Sequence, residues 1–316
     1  MVPLPEGHPF PMEKYRALRE LLLVEGVLSP AEVRRSAPAP VDWLLRAHDP
    51  AYVERMLAGA LPPDEVRRLG LPWSEALVAR ARAAVFGTVL AARAALVHGV
   101  AGNLAGGTHH AFFDRGEGYC LFNDVAVAIA VLRAGDDDGG DDAAAEPTPA
   151  ALVARRPFVL DLDVHQGNGT AAMFARDPSV FTLSIHSRTN YPLRKETSTL
   201  DVELEDGTGD DAYLALLDEH VPAALDRHAP DLVFYQAGVD THASDRLGRL
   251  ALTHAGLAER DRRVFAWLSA RALPVAVTLG GGYGRPLADT VRAHAGTWRA
   301  ARAARAAGPP VPAGSW

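Results

Sequence analysis

Hydrophobic positions change period several times along the chain, and each change marks an element. Between Pro11 and Glu25 the apolar residues Tyr15, Leu18, Leu21 and Leu22 recur at helical spacing, with Gly26 as the stop. Ser29-Pro30-Ala31-Glu32 has the form of an N-cap, a first-turn proline and a capping-box glutamate. His48-Asp49-Pro50 opens a short helix through Tyr52, Val53 and Met56, and Trp73-Ser74-Glu75 opens a long Ala/Arg-rich one over about 74–98. From Gly99 to Gly107 the chain is glycine-rich with one short apolar strand, and it then delivers Thr108-His109-His110 into a loop. Asn123-Asp124 caps a helix to about Arg133.

The second half alternates. Short apolar runs over 158–162, Val180–Ile185, Asp231–Gln236 and Pro274–Leu279 have the length and continuity of buried parallel strands. Helical stretches at about 170–176, 210–228, 254–272 and 286–306 separate them, and 188–209 reads as a long loop with a short strand at Leu200–Leu204. This alternation predicts an α/β fold, a mostly parallel sheet flanked by helices on both faces. With no internal repeat or linker, residues 1–316 are expected to form a single domain. Residues 134–150, with Asp136-Asp137-Asp138-Gly139-Gly140-Asp141-Asp142 at their head, are acidic and of low complexity, and are expected to be a surface insertion.

Composition narrows the class only a little. Hydrophobic content of 48% and charged content of 22% are those of an ordinary globular protein. A net charge of −7 argues against a direct nucleic-acid partner. The single cysteine, Cys120, excludes an intrachain disulfide. The first residues carry neither a basic nor an apolar leader pattern, and no apolar run is expected to reach the length of a membrane span. The expectation is a cytoplasmic protein without a membrane partner.

One strand carries residues that a buried strand should not. In Phe158-Val159-Leu160-Asp161-Leu162-Asp163-Val164-His165-Gln166-Gly167-Asn168-Gly169, two aspartates and a histidine interrupt an apolar run at i, i+2 and i+4. An extended backbone would aim all three to one side. Buried charges must be paired or ligate a metal, so Asp163 and His165 are candidate ligands. Loops at the carboxyl ends of the strands in such sheets carry ligand sites. Four segments deliver unusual residues there: His109-His110, Asp163/His165, Asp240 and Tyr283. Asp163, His165 and Asp240 would give zinc three ligands whose two charges offset its own. His109 and His110 are then candidates to move protons, and Tyr283 in Gly280-Gly281-Gly282-Tyr283-Gly284 is a candidate oxyanion donor.

Gly106-Gly107-Thr108-His109-His110, Gly116-Glu117-Gly118-Tyr119-Cys120, the Asp161–Gly169 stretch, Gln236-Ala237-Gly238-Val239-Asp240 and Gly280–Tyr283 closely resemble, in the same order, motifs of the zinc-dependent histone deacetylase family. The resemblance extends from His8-Pro9-Phe10 to the last helix. The His165–Gly169 motif, Asp245-Arg246-Leu247-Gly248 and the short length are most similar to the class IV branch and its bacterial relatives.

The resemblance implies an arginase/deacetylase-type fold and hydrolysis of acetyl or longer acyl groups from lysine side-chain amides. It implies one Zn2+ per chain, with Fe2+ or another divalent ion as the alternative, on Asp163, His165 and Asp240. It makes His109 and His110 the acid/base pair backed by Asp161 and Asn168, and Tyr283 the oxyanion donor. Gly118, Tyr119 and Tyr191 would line a substrate tunnel, and Asp161, Asp163, His165, Ser184 and Ile185 would surround a structural K+. Two positions depart from the family pattern. Asn168 stands where class I members carry Asp, so His110 is expected to be a weaker base; Tyr119 replaces a common Phe and adds a hydroxyl to the tunnel wall. The expected partner is an acyl-lysine protein, with a small acylated amine of the acetylpolyamine type as the alternative. A manganese ureohydrolase lacks its second Asp/His cluster here, and a catalytically silent acyl-lysine binding module would not need the complete residue set.

Overall fold

The computed structural model describes residues 2–135 and 154–307. The acidic segment expected at 134–150 lies outside the described residues apart from its first two: Ala134 ends a helix, and Gly135 caps it in the left-handed conformation.

Among the described residues are six strands and ten α-helices. The strands are β1 Val100–Gly102, β2 Pro157–Asp161, β3 Phe181–Ser187, β4 Leu200–Leu204, β5 Leu232–Gln236 and β6 Val275–Thr278. They form one parallel sheet in the order β1-β6-β5-β2-β3-β4. Every residue of β2, β3, β5 and β6 is buried, which is why those segments are continuous apolar runs in sequence. The edge strands β1 and β4 are only partly covered, and their sequence signal is weaker.

Side chains alternate between the two faces. Val159, Phe234 and Ala276 pack toward α5 (Glu75–His98) and α6 (Asp124–Ala134). Phe158, Leu160, Val233, Tyr235 and Val277 pack toward α8 (Asp210–His228) and α9 (His254–Ala270). Fully burying one such side chain stabilises by roughly 1.5–3 kcal/mol. A third cluster joins α1 (Lys14–Val24) to α10 (Leu287–Ala307) through Leu18, Leu22, Val291, Ala295 and Trp298. The face reading of the sequence holds: helices cover both sides.

Three local differences have physical reasons. The short helices α2 (Val41–Leu45) and α4 (Pro63–Leu69) carry too few apolar positions to show a period, and each begins behind a proline-terminated loop. Helix α5 is long and apolar enough, by length and composition, to cross a bilayer, contrary to the expectation. Half of that stretch is buried, and α5 packs on α6, β1 and β6 as a core helix. Helix α7 (Asn168–Phe174) starts at Asn168 itself, two residues earlier than the sequence suggests.

The topology places the site. From β2 the chain moves outward to β3 and β4, then returns to the other side of β2 with β5. The strand order therefore reverses between β2 and β5, where open parallel sheets form a crevice at their carboxyl edge.

Candidate active site

Strand β2 stops at Asp161, so the following aspartate and histidine are not held by extended backbone as their spacing suggests. Two side-chain turns hold them instead. Asp161 Oδ1 accepts from the Asp163 N–H at 3.1 Å, and Asp163 Oδ1 accepts from the His165 N–H at 3.0 Å. Each carboxylate bonds the backbone two residues on, a local preference of aspartate outside regular elements. Across the crevice, Asp240 follows β5, and its Oδ1 accepts from the Val164 N–H at 2.9 Å. His165 Nδ1 then lies 3.0 Å from Asp163 Oδ1 and 3.1 Å from Asp240 Oδ2.

The three ligand atoms fall within 4.8 Å of one another, and all three residues are buried. Burial, reinforced by the neighbouring Asp163 carboxylate, pushes the Asp240 carboxyl up to about 7. A divalent cation would hold both carboxylates ionised, and two oxygens with one imidazole nitrogen are a donor set that zinc accepts. These residues fit a divalent ion.

Close packing enforces the geometry. A Cβ on Gly281 would sit 1.8 Å from Asp240 Oδ2 and 2.9 Å from Asp163 Oδ2, while the Gly281 N–H donates to Asp163 Oδ2 at 2.7 Å. Gly281→Ala should therefore displace both carboxylates and weaken metal binding by roughly 10-fold or more, the scale of losing an outer support of a ligand. Metal titration of the variant checks this; unchanged affinity would mean that the ligands tolerate the shift.

The two adjacent histidines come from the loop after β1. Asp124, at the start of α6, holds that loop by accepting from Gly107 N (2.9 Å), Thr108 N (2.8 Å) and Thr108 Oγ1 (2.6 Å). His109 Nδ1 meets Asp161 Oδ2 at 2.7 Å, and His110 Nδ1 meets Asn168 Oδ1 at 2.6 Å. Burial works to lower the pKa of His109, but the Asp161 and Asp163 carboxylates override it and raise it to about 9. Burial drives His110 well below the ordinary value, with His109 and His165 acting in the same direction. Their partners and burial thus push the two rings in opposite directions.

Tyr283 hangs from the loop after β6, where Gly280 (φ +68°) and Gly282 (φ +152°) take backbone conformations that side chains disfavour. Asp245 Oδ2 accepts from its N–H at 2.6 Å, and Arg246 Nε donates to its carbonyl at 2.9 Å. Buried Lys14 donates to the carbonyls of Gly280 at 3.1 Å and Gly282 at 3.4 Å. One cavity is lined by His109, His110, Gly118, Tyr119, Asp163, His165, Tyr283 and neighbours. Tyr191 is not part of that lining; its ring packs edge-on against His110, 5.0 Å between centroids. Ser184 pairs with Asp161 across the β2–β3 ladder, and the Ile185 side chain belongs to the core.

Asp124, Asp245, Arg246 and Lys14 are the supports that sequence reasoning missed. Asp245-Arg246-Leu247-Gly248 stands out in the sequence without a role, and Asn123-Asp124 reads only as a cap. Asn123 does cap α6, accepting from Ala126 N at 2.9 Å.

The parallel six-stranded sheet, with a buried Asp/His/Asp cluster, paired histidines and a glycine-hung tyrosine at its reversal point, is consistent with the arginase/deacetylase α/β fold. Residues 8–298 match the histone deacetylase domain family, and the chain belongs to that family. It is 45% identical over 302 residues to an uncharacterized protein of Picosynechococcus sp., covering 96% of this chain and 95% of that one. With histone deacetylase 2 of Arabidopsis thaliana it shares 30% identity over 300 residues, covering 90% and 73%. The solved structure of an HDAC homolog from Aquifex aeolicus has the same fold, with a TM-score of 0.77 at 23% identity over 93% and 79% of the two chains.

Proposed function

We propose that the chain is a zinc-class, metal-dependent deacylase that hydrolyses lysine side-chain amides carrying acetyl or longer acyl groups. The observation that supports this most is the unequal histidine pair facing Asp163, His165 and Tyr283 in one cavity. Asp163, His165 and Asp240 would hold the ion. When bound, it supplies Lewis-acid polarisation of the acyl carbonyl and activation of water at neutral pH. His110, neutral, accepts the proton of the attacking water. His109, protonated against Asp161, gives a proton to the departing amine. The Tyr283 hydroxyl donates to the oxyanion that develops on the carbonyl. Gly118 and Tyr119 form the wall along the lysine stem, and Tyr191, 38% exposed and edge-on to His110, stands beside them. A structural potassium ion beside Asp161 and Ser184, and a place in the class IV branch, belong to the same reading.

A hydrolysis panel tests the substrate class. Acyl-lysine peptides of graded chain length should be cleaved with higher kcat/KM than acetylated polyamines. Preference for the polyamines would make the chain a small-molecule amidohydrolase with the same catalytic set.

A further inference from the structure

Behind the histidine pair lies a carboxylate that the reaction above does not use. Glu117, in the turn between Gly116 and Gly118, has a side chain only 13% exposed. Its Oε1 accepts two hydrogen bonds, one from Asn168 Nδ2 at 3.0 Å and one from the Tyr191 hydroxyl. Its Oε2 faces Arg115 Nε at 3.7 Å. With His110 Nδ1 on Asn168 Oδ1, the links run His110–Asn168–Glu117.

The direction of such a chain is a chemical question. An asparagine side chain is nearly symmetric in shape, and turned over it would offer its NH2 to His110 and its carbonyl to position 117. An aspartate at 168 would remove the ambiguity, because a carboxylate only accepts. Asparagine cannot do so alone. Glu117 can: ionised, it only accepts, so the Asn168 atom facing it must be the NH2 group. Asn168 Oδ1 then faces His110, Nδ1 must carry the imidazole proton, and the lone pair is left on Nε2 at the opposite edge of the ring. A general base needs that lone pair at the cavity, and which ring nitrogen is protonated is set by the partner of the other.

We propose that Glu117 is a positioning residue that fixes the hydrogen-bond direction of the His110–Asn168 pair, and so the base-competent tautomer of His110. The proposal rests on His110 being the base. Glu117 performs at one remove what an aspartate at 168 would do directly.

The test is Glu117→Gln, which keeps the size of the side chain, removes its negative charge and turns one of its two acceptor oxygens into a donor. Arg115 should attract the new carbonyl, turning the glutamine NH2 toward Asn168 and reversing the chain. Zinc-loaded protein with 15N-labelled histidine is examined at about pH 8, where an ordinary histidine is neutral; His110→Ala identifies the His110 signals. Wild type should show the Nδ1–H form of His110, and Glu117→Gln should show the Nε2–H form or a mixture. The kcat on an acyl-lysine peptide should fall roughly 10–100-fold with little change in KM, the usual scale for an outer-shell partner. Tyr191→Phe removes the other donor to the same oxygen and should leave the tautomer as in wild type. An Nε2–H ring in wild type, an unmoved tautomer in Glu117→Gln, or an equal shift in Tyr191→Phe would each overturn the proposal. The spectra read the tautomer whether or not the peptide is cleaved, so absent turnover in wild type would count against the proposed reaction alone.

Discussion

Tyr283→Phe should leave a folded protein that binds its metal and turns over about 10²–10³ times more slowly, the cost of removing one oxyanion donor. The backbone of Tyr283 is fixed independently of its hydroxyl, through Asp245 and Arg246, and the cationic Lys14 Nζ lies 5.4 Å from the ring centroid. Phenylalanine keeps all of these contacts, so the loss should fall on kcat. Steady-state kinetics alongside metal analysis separate the outcomes. Wild-type turnover would make Tyr283 a loop anchor and require another oxyanion donor.

Asp240→Asn should abolish activity through loss of the ion. Asparagine can still accept from Val164 N as Asp240 Oδ1 does, so the local backbone has a partner. What disappears is one of two negative charges in a fully buried ligand set. A divalent cation there would be left undercompensated, which is costly away from water. The loss of affinity should exceed the roughly 10–100-fold typical of an outer-shell change. A ligand that binds only the folded state stabilises it by about 2.7 kcal/mol at 100 times its Kd. Wild type should therefore gain melting temperature on zinc addition, and Asp240→Asn should not. Metal retained after dialysis of the variant would remove Asp240 from the ligand set.

Much of the architecture was legible because burial on both faces leaves an unbroken apolar run, as in β2, β3, β5 and β6. Helices α2 and α4 were not, being too short to display a period. At the site, residue types spoke clearly while their geometry did not. The i, i+2, i+4 spacing suggested a strand carrying Asp161, Asp163 and His165 together; carboxylate-to-backbone turns beyond the strand end gather them instead. The supports were hidden for another reason. Lys14 sits in an ordinary amphipathic helix, and its partners lie 266 and 268 residues away in the glycine loop. Asp124 and Asp245 bond backbone groups of loops that no local pattern connects to them. Glu117 was visible as part of a motif, but its direction-setting contact requires Asn168 to arrive from the far side of the sheet reversal.

The central claim is that one divalent ion on Asp163, His165 and Asp240 drives amide hydrolysis. It is tested by stripping the protein with a chelator and measuring carboxylate release from an acyl-lysine peptide as zinc or iron(II) is added back. The account predicts no hydrolysis from the stripped protein and activity that rises to a plateau at one ion per chain. Hydrolysis that survives complete removal of metal, or a fully loaded protein that releases no carboxylate from any acyl-lysine or acylated amine, would contradict it.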